Sequence, residues 1–418
     1  MSGWSSLKIK DLGRVVTGKT PPTEAKELFD GNELFVSPKD LSWDQYYVTV
    51  TETRISEKAF AKFKNQVLPA NTVMFTSLSF AFGKMGLTSR LSLTNQQINS
   101  IIVNNDHDFR FVFYLLKAYK KIIFSYNSGI DTPIVPKSVF EGIEVVCPAK
   151  ATQKKIAAIL STYDDLIANN QRRISLLERM AKDIYREWFV RLRFPGHENV
   201  KVEKGVPQGW KLVTLEKAFK FYGGATPARD TPRFWKDGTV NWFTPTDITA
   251  AKGMFVEESS EKCTDEGLEN CSSRLFPPYS VMMTSRATIG AIGINLTQAC
   301  TNQGFITCIP NDAYPLAYLY HWLKLGKPHF ESLSGGSTFA ELTKGTFKRM
   351  EILTPPQPLV QQFGQLCSSM LKSIEAMLKA NASLKATRDS LLPRLISGKL
   401  AVDALDIRFP PGMAEQDR

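Results

Sequence analysis

The sequence predicts a mixed α+β protein in which two globular halves alternate with two long helices that pair antiparallel as a coiled coil. Two observations support this fold class. Short segments of the first half recur in the second half in the same order, and each half ends in a long stretch with apolar residues at alternating spacings of three and four. The recurrence predicts an internal pseudo-twofold repeat. At 418 residues the chain is also too long for one ordinary core.

The repeat consists of five matches at offsets of 206 to 208 residues. Both copies open with a Trp, Trp4 and Trp210, and reach a Gly-x-Thr-Pro sequence at 18–21 and 224–227. The later matches pair VSPKDL with FTPTDI, VMFTS with VMMTS, FGKMGL with IGAIGI, and TNQ with TNQ. Because the order is kept and the offsets barely drift, a tandem duplication explains the matches better than chance.

Each half is predicted to be globular up to a proline, Pro148 in the first copy and Pro355 in the second. Short β-like runs are separated there by Gly, Pro and Asn, with one helical segment in each half, at 110–121 and 315–325. We therefore expect globular domains at 1–150 and 199–357.

Beyond those prolines the period of the apolar residues is 3.5, which is typical of a coiled coil. We expect a central helix within 151–198, a second helix within 358–400 and a tail at 401–418. The predicted pairing residues are Ile156, Leu160, Ile167, Asn170, Ile174 and Leu177 in the first helix and Ile374, Met377, Asn381, Leu384 and Leu391 in the second.

The pairing has an alternative, because one amphipathic helix usually packs against its own domain. Two such helices in matching frame, each following a globular half, favour pairing with each other. Asn170 and Asn381 lie within the apolar seam. A buried amide can fix the register of a coiled coil, and a tolerated polar residue at a wet position is equally compatible with either Asn.

The stretch GRVVTGKT, residues 13–20, matches the pattern of loops that bind nucleotide phosphates. Such a loop leads into a helix whose free N–H groups face the phosphate. Here Pro21 and Pro22 follow at once, and proline removes the backbone donor. The second copy has Ala225 in place of Lys19. We therefore interpret the shared Gly-x-Thr-Pro as a turn and expect no ATP binding by this chain.

The composition describes a folded protein with an excess of positive charge. The net charge is +11 and the sequence pI about 9.2, which fits a polyanionic partner without identifying it. Six cysteines without a C-x-x-C pair, together with four histidines, argue against a structural zinc site. No apolar run reaches transmembrane length and the N-terminus lacks a signal peptide, so we expect reduced thiols and a cytoplasmic location.

The alternation of globular halves and helices resembles the specificity (S) subunit of type I restriction–modification systems. YREWFV at 185–190 and FPG at 194–196 look like the end of that family's central helix, and LLPRLISGKL at 391–400 looks like its C-terminal helix. VMMTSRATIGAIGI and TNQGFI resemble its target-recognition domains. The first half departs from this pattern, because Leu78 stands where the second copy has Arg286.

The resemblance implies that the chain reads a split, asymmetric double-stranded DNA sequence, with one target-recognition domain for each part. It also implies that the helices hold a spacer between the parts and dock two modification (M) subunits, which bring S-adenosylmethionine and methylate adenine. Restriction (R) subunits would bring ATP-driven translocation and cleavage, with Mg²⁺. No cofactor or metal is then expected in this chain, and no membrane partner.

The residues themselves are consistent with a protein that is not an enzyme. An amino-methyltransferase needs [DNS]-P-P-[YFW] to hold a flipped base, and the nearest text here begins with Phe276, which cannot accept that hydrogen bond. We interpret residues 276–279 as a turn into a strand. A different class of function also fits the helices: a coiled-coil scaffold whose globular ends bind proteins, with the positive charge incidental.

Candidate DNA contacts come from loops present in both copies. Base edges are read by Arg, Lys, Asn, Gln, Ser and Thr, and phosphates by Lys, Arg and backbone N–H groups. Arg286 is singled out because a long basic donor between apolar strands has little expected internal use. The candidates are Lys19, Thr20, Lys39, Asp40, Ser77, Lys84, Asn95 and Gln96 in the first copy and Thr226, Arg229, Arg233, Thr246, Asp247, Ser285, Arg286, Thr288, Asn302 and Gln303 in the second.

Two roles remain open for these residues. The four amides, Asn95, Gln96, Asn302 and Gln303, could read adenine or bridge turns internally. Residues kept in both copies are expected to serve the shared scaffold, whereas sequence discrimination should come from residues that differ.

Overall fold

The computed structural model describes residues 3–43, 46–78, 81–128, 133–251, 253–335, 340–410 and 413. The chain divides into two units. Unit 1 combines residues 1–169 with 381–418, and unit 2 is the continuous segment 170–380. Both boundaries fall inside long helices, so each unit contains one part of each helix.

Unit 1 contains ten strands and three short or medium helices among its described residues, and the first long helix begins in it. The helices are α1 (Glu57–Lys62), α2 (Phe109–Ser125), α3 (Lys137–Gly142) and the long α4 (Lys150–Tyr185). The strands are β1 (Trp4–Lys8), β2 (Gly13–Thr17), β3 (Glu33–Val36), β4 (Tyr47–Val48), β5 (Thr53–Ile55), β6 (Val73–Thr76), β7 (Met85–Thr88), β8 (Ser92–Thr94), β9 (Ile98–Val103) and β10 (Glu144–Pro148). They form sheets ordered β2-β9-β6-β7-β4, β5-β3-β8 and β1-β10.

Unit 2 contains the remaining elements. Its strands are β11 (Val202–Glu203), β12 (Val206–Pro207), β13 (Lys211–Thr214), β14 (Phe221–Gly223), β15 (Val240–Phe243), β16 (Phe255–Val256), β17 (Lys262–Cys263), β18 (Val281–Thr284), β19 (Ile292–Asn295), β20 (Ala299–Thr301), β21 (Phe305–Cys308) and β22 (Glu351–Thr354). Its helices are α5 (Leu215–Ala218), α6 (Pro245–Ala250), α7 (Asp265–Glu269), α8 (Leu316–Leu325), α9 (Lys327–Ser332), α10 (Lys344–Arg349) and the beginning of α11 (Gln357–Ile396).

The sheets of unit 2 repeat those of unit 1 strand for strand. Their orders are β14-β21-β18-β19-β16, β17-β15-β20 and β13-β22, with an added hairpin β11-β12. The mixed pairing is also repeated: β3–β8 and β4–β7 are parallel in unit 1, their equivalents β15–β20 and β16–β19 are parallel in unit 2, and the other strand pairs are antiparallel. The central strands VMFT (β6) and VMMT (β18) are buried along their whole length, as expected for strands covered on both faces. The predicted internal repeat is confirmed.

The two long helices pack against each other antiparallel within each unit. In unit 1 one apolar core joins Ile156 and Leu160 near the start of α4 to Leu392 and Leu395 near the end of α11. In unit 2 another core joins the end of α4 to the start of α11, where the rings of Tyr185 and Phe363 lie 5.8 Å apart. The predicted antiparallel pairing is therefore confirmed. No helix in the described residues is long and apolar enough to cross a membrane.

Burial along the seam follows the predicted period. Most predicted pairing residues are buried, and the rest are half-buried. Of the two asparagines, Asn381 is buried and Asn170 is half-buried. The buried residues are Ile156, Leu160, Ile167, Ile174, Ile374, Met377 and Asn381, and the half-buried ones are Asn170, Leu177, Leu384 and Leu391.

The YREWFV segment ends α4 with a π-helical turn, Arg186–Val190. The wider π turn directs aromatic side chains into the core of unit 2. The ring centroid of Phe189 lies 4.9 Å from that of Tyr318 and 5.1 Å from that of Phe363. A π turn inside or at the end of an α-helix shifts the following side chains around the axis. Here that shift lets both aromatic residues of the π turn itself, Trp188 and Phe189, meet Phe363.

The seam of unit 1 contains a buried ionic network that the heptad pattern did not predict. Arg388 of α11 is 1% exposed and pairs with Asp164 of α4, which is 4% exposed. The hydroxyl of Tyr114, from α2, donates to the other oxygen of Asp164, and Asp389 accepts from the guanidinium at 2.8 Å. Burial lowers the pKa of Arg388, but the carboxylates of Asp164 and Asp389 raise it by more than burial lowers it. The guanidinium is therefore charged.

The network differs from its equivalent in unit 2. An offset of 207 residues pairs Tyr114 with His321, Asp164 with Leu371 and Arg388 with Ala181. Burial and two nearby lysines lower the pKa of His321 to about 4, so this imidazole is neutral near pH 7. The repeat therefore carries an ionic network in one unit and uncharged side chains at the same positions of the other.

Arg388→Ala should lower the free energy of unfolding by about 3–5 kcal/mol, because it leaves the Asp164 carboxylate buried without its cation. The measurement is urea unfolding at neutral pH. Arg394→Ala is the matched control, since Arg394 is exposed on the same helix. An exposed substitution of this kind should change stability by about 0.5 kcal/mol or less.

The double variant Asp164→Leu/Arg388→Ala copies the residues of unit 2 and should recover most of that loss, because no charge is left buried. A cost for Arg388→Ala no larger than that of Arg394→Ala would contradict a stabilising role for the network.

Candidate nucleic-acid interface

The Gly-x-Thr-Pro segments pack tightly against the TNQ turns in both units. A Cβ on Gly18 would lie 2.2 Å from the carbonyl oxygen of Asn95, and one on Gly224 would lie 2.0 Å from that of Thr301. Only glycine permits this backbone approach. The stretch that resembled a phosphate loop is instead strand β2, and no helix begins at residues 18–22. The predicted turn is wrong, because residues 18–22 and 224–228 run without a turn or a bend. Proline favours an extended conformation in the residue before it, which here is Thr20 or Thr226.

A matching hydrogen bond ties each Gly-x-Thr-Pro segment to its TNQ turn at the surface. The hydroxyl of Thr20 donates to Gln96 Oε1 over 2.7 Å, and the hydroxyl of Thr226 donates to Gln303 Oε1 over the same 2.7 Å. The preceding asparagines stay inside their turns: Asn95 Oδ1 accepts from the backbone of Gln97, and Asn302 Oδ1 from that of Gly304. Of the two roles left open for these amides, the asparagines bridge turns.

The candidate aspartates also hold loops together. Asp40 accepts from the backbone and hydroxyl of Ser37 at 2.8 Å, and its second oxygen accepts from the Glu52 backbone. Asp247 makes the equivalent bonds to Thr244 and Ser260. Partial burial raises the pKa of Asp247, but these hydrogen bonds lower it more. Both carboxylates accept hydrogen bonds from neighbouring loop residues. This structural role explains why acidic residues occur on a surface that is expected to meet a polyanion.

Ser77 and Ser285 are buried rather than exposed. The backbone N–H of Ser77 donates to Gln97 and that of Ser285 to Gly304, joining the strand that precedes each serine to the TNQ turn. The Ser77 hydroxyl donates to the same Gln97 carbonyl at 3.1 Å. These serines belong to the scaffold, and their hydroxyls do not reach the surface.

The candidate arginines of unit 2 each have an acidic partner. Arg229 donates to both oxygens of Glu261, at 2.7 and 2.9 Å, and its guanidinium stacks 4.1 Å from the Trp235 ring centroid. Arg233 pairs with Glu266 at 2.9 Å. These exposed pairs contribute little stability, so their main effect is to hold the guanidinium groups in place.

Arg286 corrects the expectation that its loop offers no internal use for a basic donor. Its Nε lies 2.9 Å from Glu341 Oε1, and the two residues also form an isolated β-bridge. Arg286 stays half-exposed in this pair. The remaining candidates of this unit, Thr246 and Thr288, are exposed.

The candidate lysines of unit 1 are held more loosely. Lys19 is exposed, with its ammonium 5.9 Å from the Phe63 ring centroid, and Lys39 lies 3.7 Å from Glu52. Lys84 lies 5.1 Å from the half-exposed Trp43 ring. Sequence reasoning missed a second cation on that ring, Lys120 at 5.3 Å, because it comes from α2 rather than from a shared loop.

Two other features bear on metal binding and on methyl transfer. Within the described ranges no group of His, Cys, Asp and Glu is arranged to hold a metal ion. Phe276 is buried and bridges Ala299, while the Tyr279 hydroxyl donates to Glu375 at 2.9 Å. The FPPY segment is thus the turn that precedes β18, as the sequence predicted.

Comparison with known proteins places this arrangement in a family. The specificity subunit of the type I restriction enzyme MjaIX from Methanocaldococcus jannaschii is 26% identical over 416 residues, covering 96% of this chain and 94% of that protein. The specificity subunit of the type I restriction enzyme HindI from Haemophilus influenzae is 24% identical over 358 residues, covering 69% of this chain and 77% of that protein.

The fold has a counterpart in a solved structure. The crystal structure of a type I restriction–modification S subunit from M. genitalium aligns with a TM-score of 0.57 at 16% identity, covering 94% of this chain and 96% of that one. The family described as type I restriction modification DNA specificity domain matches residues 1–179 and again 207–385. The two matches follow the two copies of the repeat and cover most of the sequence, and the chain belongs to the type I restriction–modification DNA specificity family.

Proposed function

We propose that each unit reads one part of a split, asymmetric DNA sequence. The observation that carries this proposal is one scaffold bearing different side chains at equivalent loop positions. The Gly-x-Thr-Pro segment carries Lys19 in unit 1 and Ala225 in unit 2, and the neighbouring loop carries the buried Leu78 in one and the half-exposed Arg286 in the other. Two copies of one scaffold with different loop side chains suit the reading of two different sequences.

The chain is proposed to act as the recognition component of a larger complex and to have no catalytic centre of its own. Two modification subunits would supply S-adenosylmethionine and adenine methylation, and restriction subunits would supply ATP-driven translocation and cleavage with Mg²⁺. Support for docking comes from α4, where Leu176 and Met180 are 53% and 50% exposed one helical turn apart. Apolar side chains adjacent on a helix surface are typical of a contact with another protein. The complex is expected in the cytoplasm.

Methylome sequencing tests the proposal. The chain is expressed with its modification subunits in a host that lacks this modification, and the same host without the chain is the control. We expect adenine methylation at one motif made of two specified parts separated by unread bases. A coiled-coil scaffold without DNA specificity would produce no new motif, and that result would sink the proposal.

Arg286→Ala should weaken binding of the M–S complex to its motif by about 1–3 kcal/mol, the range for a base contact. The loss should come from DNA rather than from folding, because the Arg286–Glu341 pair is exposed. Leu78→Ala at the equivalent position should mainly disturb local packing, since Leu78 is buried. Affinity is measured by fluorescence anisotropy at physiological salt. An unchanged affinity of Arg286→Ala would mean that this loop does not lie at the DNA.

We also expect the length of the two paired helices to set the length of the unread DNA spacer. Four added residues lengthen a helix by about 6 Å, nearly two base pairs at about 3.4 Å each. Four residues are also little more than one turn, so the pairing can continue as a stutter. Matched insertions near Asn170 and Asn381, where the two units meet in sequence, should lengthen the spacer by one or two base pairs.

The bases read on either side should stay the same, and methylome sequencing of the insertion variant decides the outcome. Intact methylation with an unchanged spacer would show that the helices do not set it.

A further inference from the structure

The Thr–Gln pairs, Thr20–Gln96 in unit 1 and Thr226–Gln303 in unit 2, fix the orientation of two exposed carboxamides. In each pair the threonine hydroxyl donates to the glutamine Oε1 over 2.7 Å. Both glutamines are exposed, and within the described ranges neither amide nitrogen is engaged by a protein acceptor. With its oxygen held by the hydroxyl, each carboxamide presents its NH₂ group as a donor of fixed direction.

The backbone beneath each pair is rigid. Gly18 and Gly224 are pressed against the TNQ turns, and the N–H of Ala225 donates to Thr301 over 3.0 Å. The TNQ turns are braced in turn by Asn95 and Asn302. The donors therefore need little ordering when a ligand arrives, and such preorganisation raises affinity.

The chemistry of the pairs suits an acceptor that is the same in both units. The threonine, the glutamine and the bond length are identical, whereas the neighbouring residues differ, as Lys19 and Ala225 do. A donor shared by both units does not account for any difference between the two DNA sequences read. Phosphate oxygens are acceptors only and occur at every nucleotide, and side-chain amides are common donors to them.

We propose that the two Thr–Gln pairs are sequence-independent clamps on the DNA backbone, each donating from the glutamine NH₂ group to a phosphate oxygen. The proposal rests on the proposed function, since it needs DNA at these turns. Gln96 and Gln303 are the contacting residues, and Thr20 and Thr226 position them. This role replaces adenine reading for both glutamines, because bidentate pairing with adenine uses the carboxamide oxygen as an acceptor, and that oxygen already accepts from the threonine hydroxyl.

Gln303→Glu tests the clamp directly. The carboxylate keeps the bond from the Thr226 hydroxyl, so the turn is preserved, but it turns a donor toward phosphate into a repelling charge. We expect the M–S complex to lose about tenfold or more in affinity, the scale of one hydrogen bond to a charged group. The loss should be equal on a duplex carrying the methylome motif and on a scrambled duplex of the same length. Gln96→Glu should behave alike.

Gln208→Glu is the charge-matched control, because Gln208 is exposed beside the β12 hairpin and its backbone N–H donates to Lys201 rather than to these turns. It should stay within about twofold of the wild type, as expected for a solvent-screened charge. An affinity of Gln303→Glu equal to that of this control would overturn the clamp. A loss confined to the motif duplex would also overturn it, since that would indicate a base contact.

The positioning role of Thr226 has its own readout. Thr226→Ser keeps the hydroxyl and should bind both duplexes like the wild type, whereas Thr226→Val should weaken both by the same factor. Equal behaviour of the two variants would contradict positioning through the hydroxyl. A wild-type complex that shows no preference for any DNA would instead refute the proposed function itself, and the two failures are thus distinguished.

Discussion

The fold depends on burying two long helices, each shared between the units. The start of α4 and the end of α11 complete the core of unit 1, while the end of α4 and the start of α11 complete that of unit 2. A sheet or an amphipathic helix must cover its apolar face, and each unit does so with segments from both copies of the repeat. Neither copy of the repeat therefore supplies a complete core by itself. Each copy of the repeat thus buries a helix segment of the other copy. The TNQ turns belong to units whose cores are built in that way.

Much of this could be predicted from the sequence because it follows from periodicity. The offsets of the repeat predicted two equivalent globular halves, whose sheets are ordered alike, and the 3.5-residue period predicted helix pairing. The prolines that follow the Gly-Lys-Thr of residues 18–20 correctly indicated that this stretch does not lead into a helix, as a phosphate-binding loop would. These features are local or repeated, so a single sequence contains enough information to recognise them.

What escaped prediction depends on pairs that are distant in sequence. Asp164 is not among the predicted pairing residues, yet it is buried in the seam, because its carboxylate meets Arg388 from the other copy. Glu341, the partner of Arg286, lies in a loop whose sequence has no periodic or repeated pattern that would predict this contact. The internal bonds of Asp40 and Asp247 escaped for a related reason: an aspartate retained in both copies looks the same whether it binds DNA or caps a loop. Retention in both copies turned out to mark scaffold in the aspartates, serines and asparagines.

The buried network of unit 1 gives the helix pairing a direction and a register that apolar contacts alone would leave weakly specified. Leu, Ile and Ala side chains tolerate a slip of one heptad, because one apolar contact replaces another. After such a slip Asp164 and Arg388 would each lie buried opposite a side chain that cannot neutralise it, at a cost of several kcal/mol. Unit 2 has Leu371 and Ala181 at the equivalent positions, so it cannot offer the network a second place to form. The two helices have nearly equivalent apolar patterns. The Asp164–Arg388 contact has no counterpart in unit 2, so it distinguishes the native pairing from one shifted along the helices and from one in which the two helices exchange places.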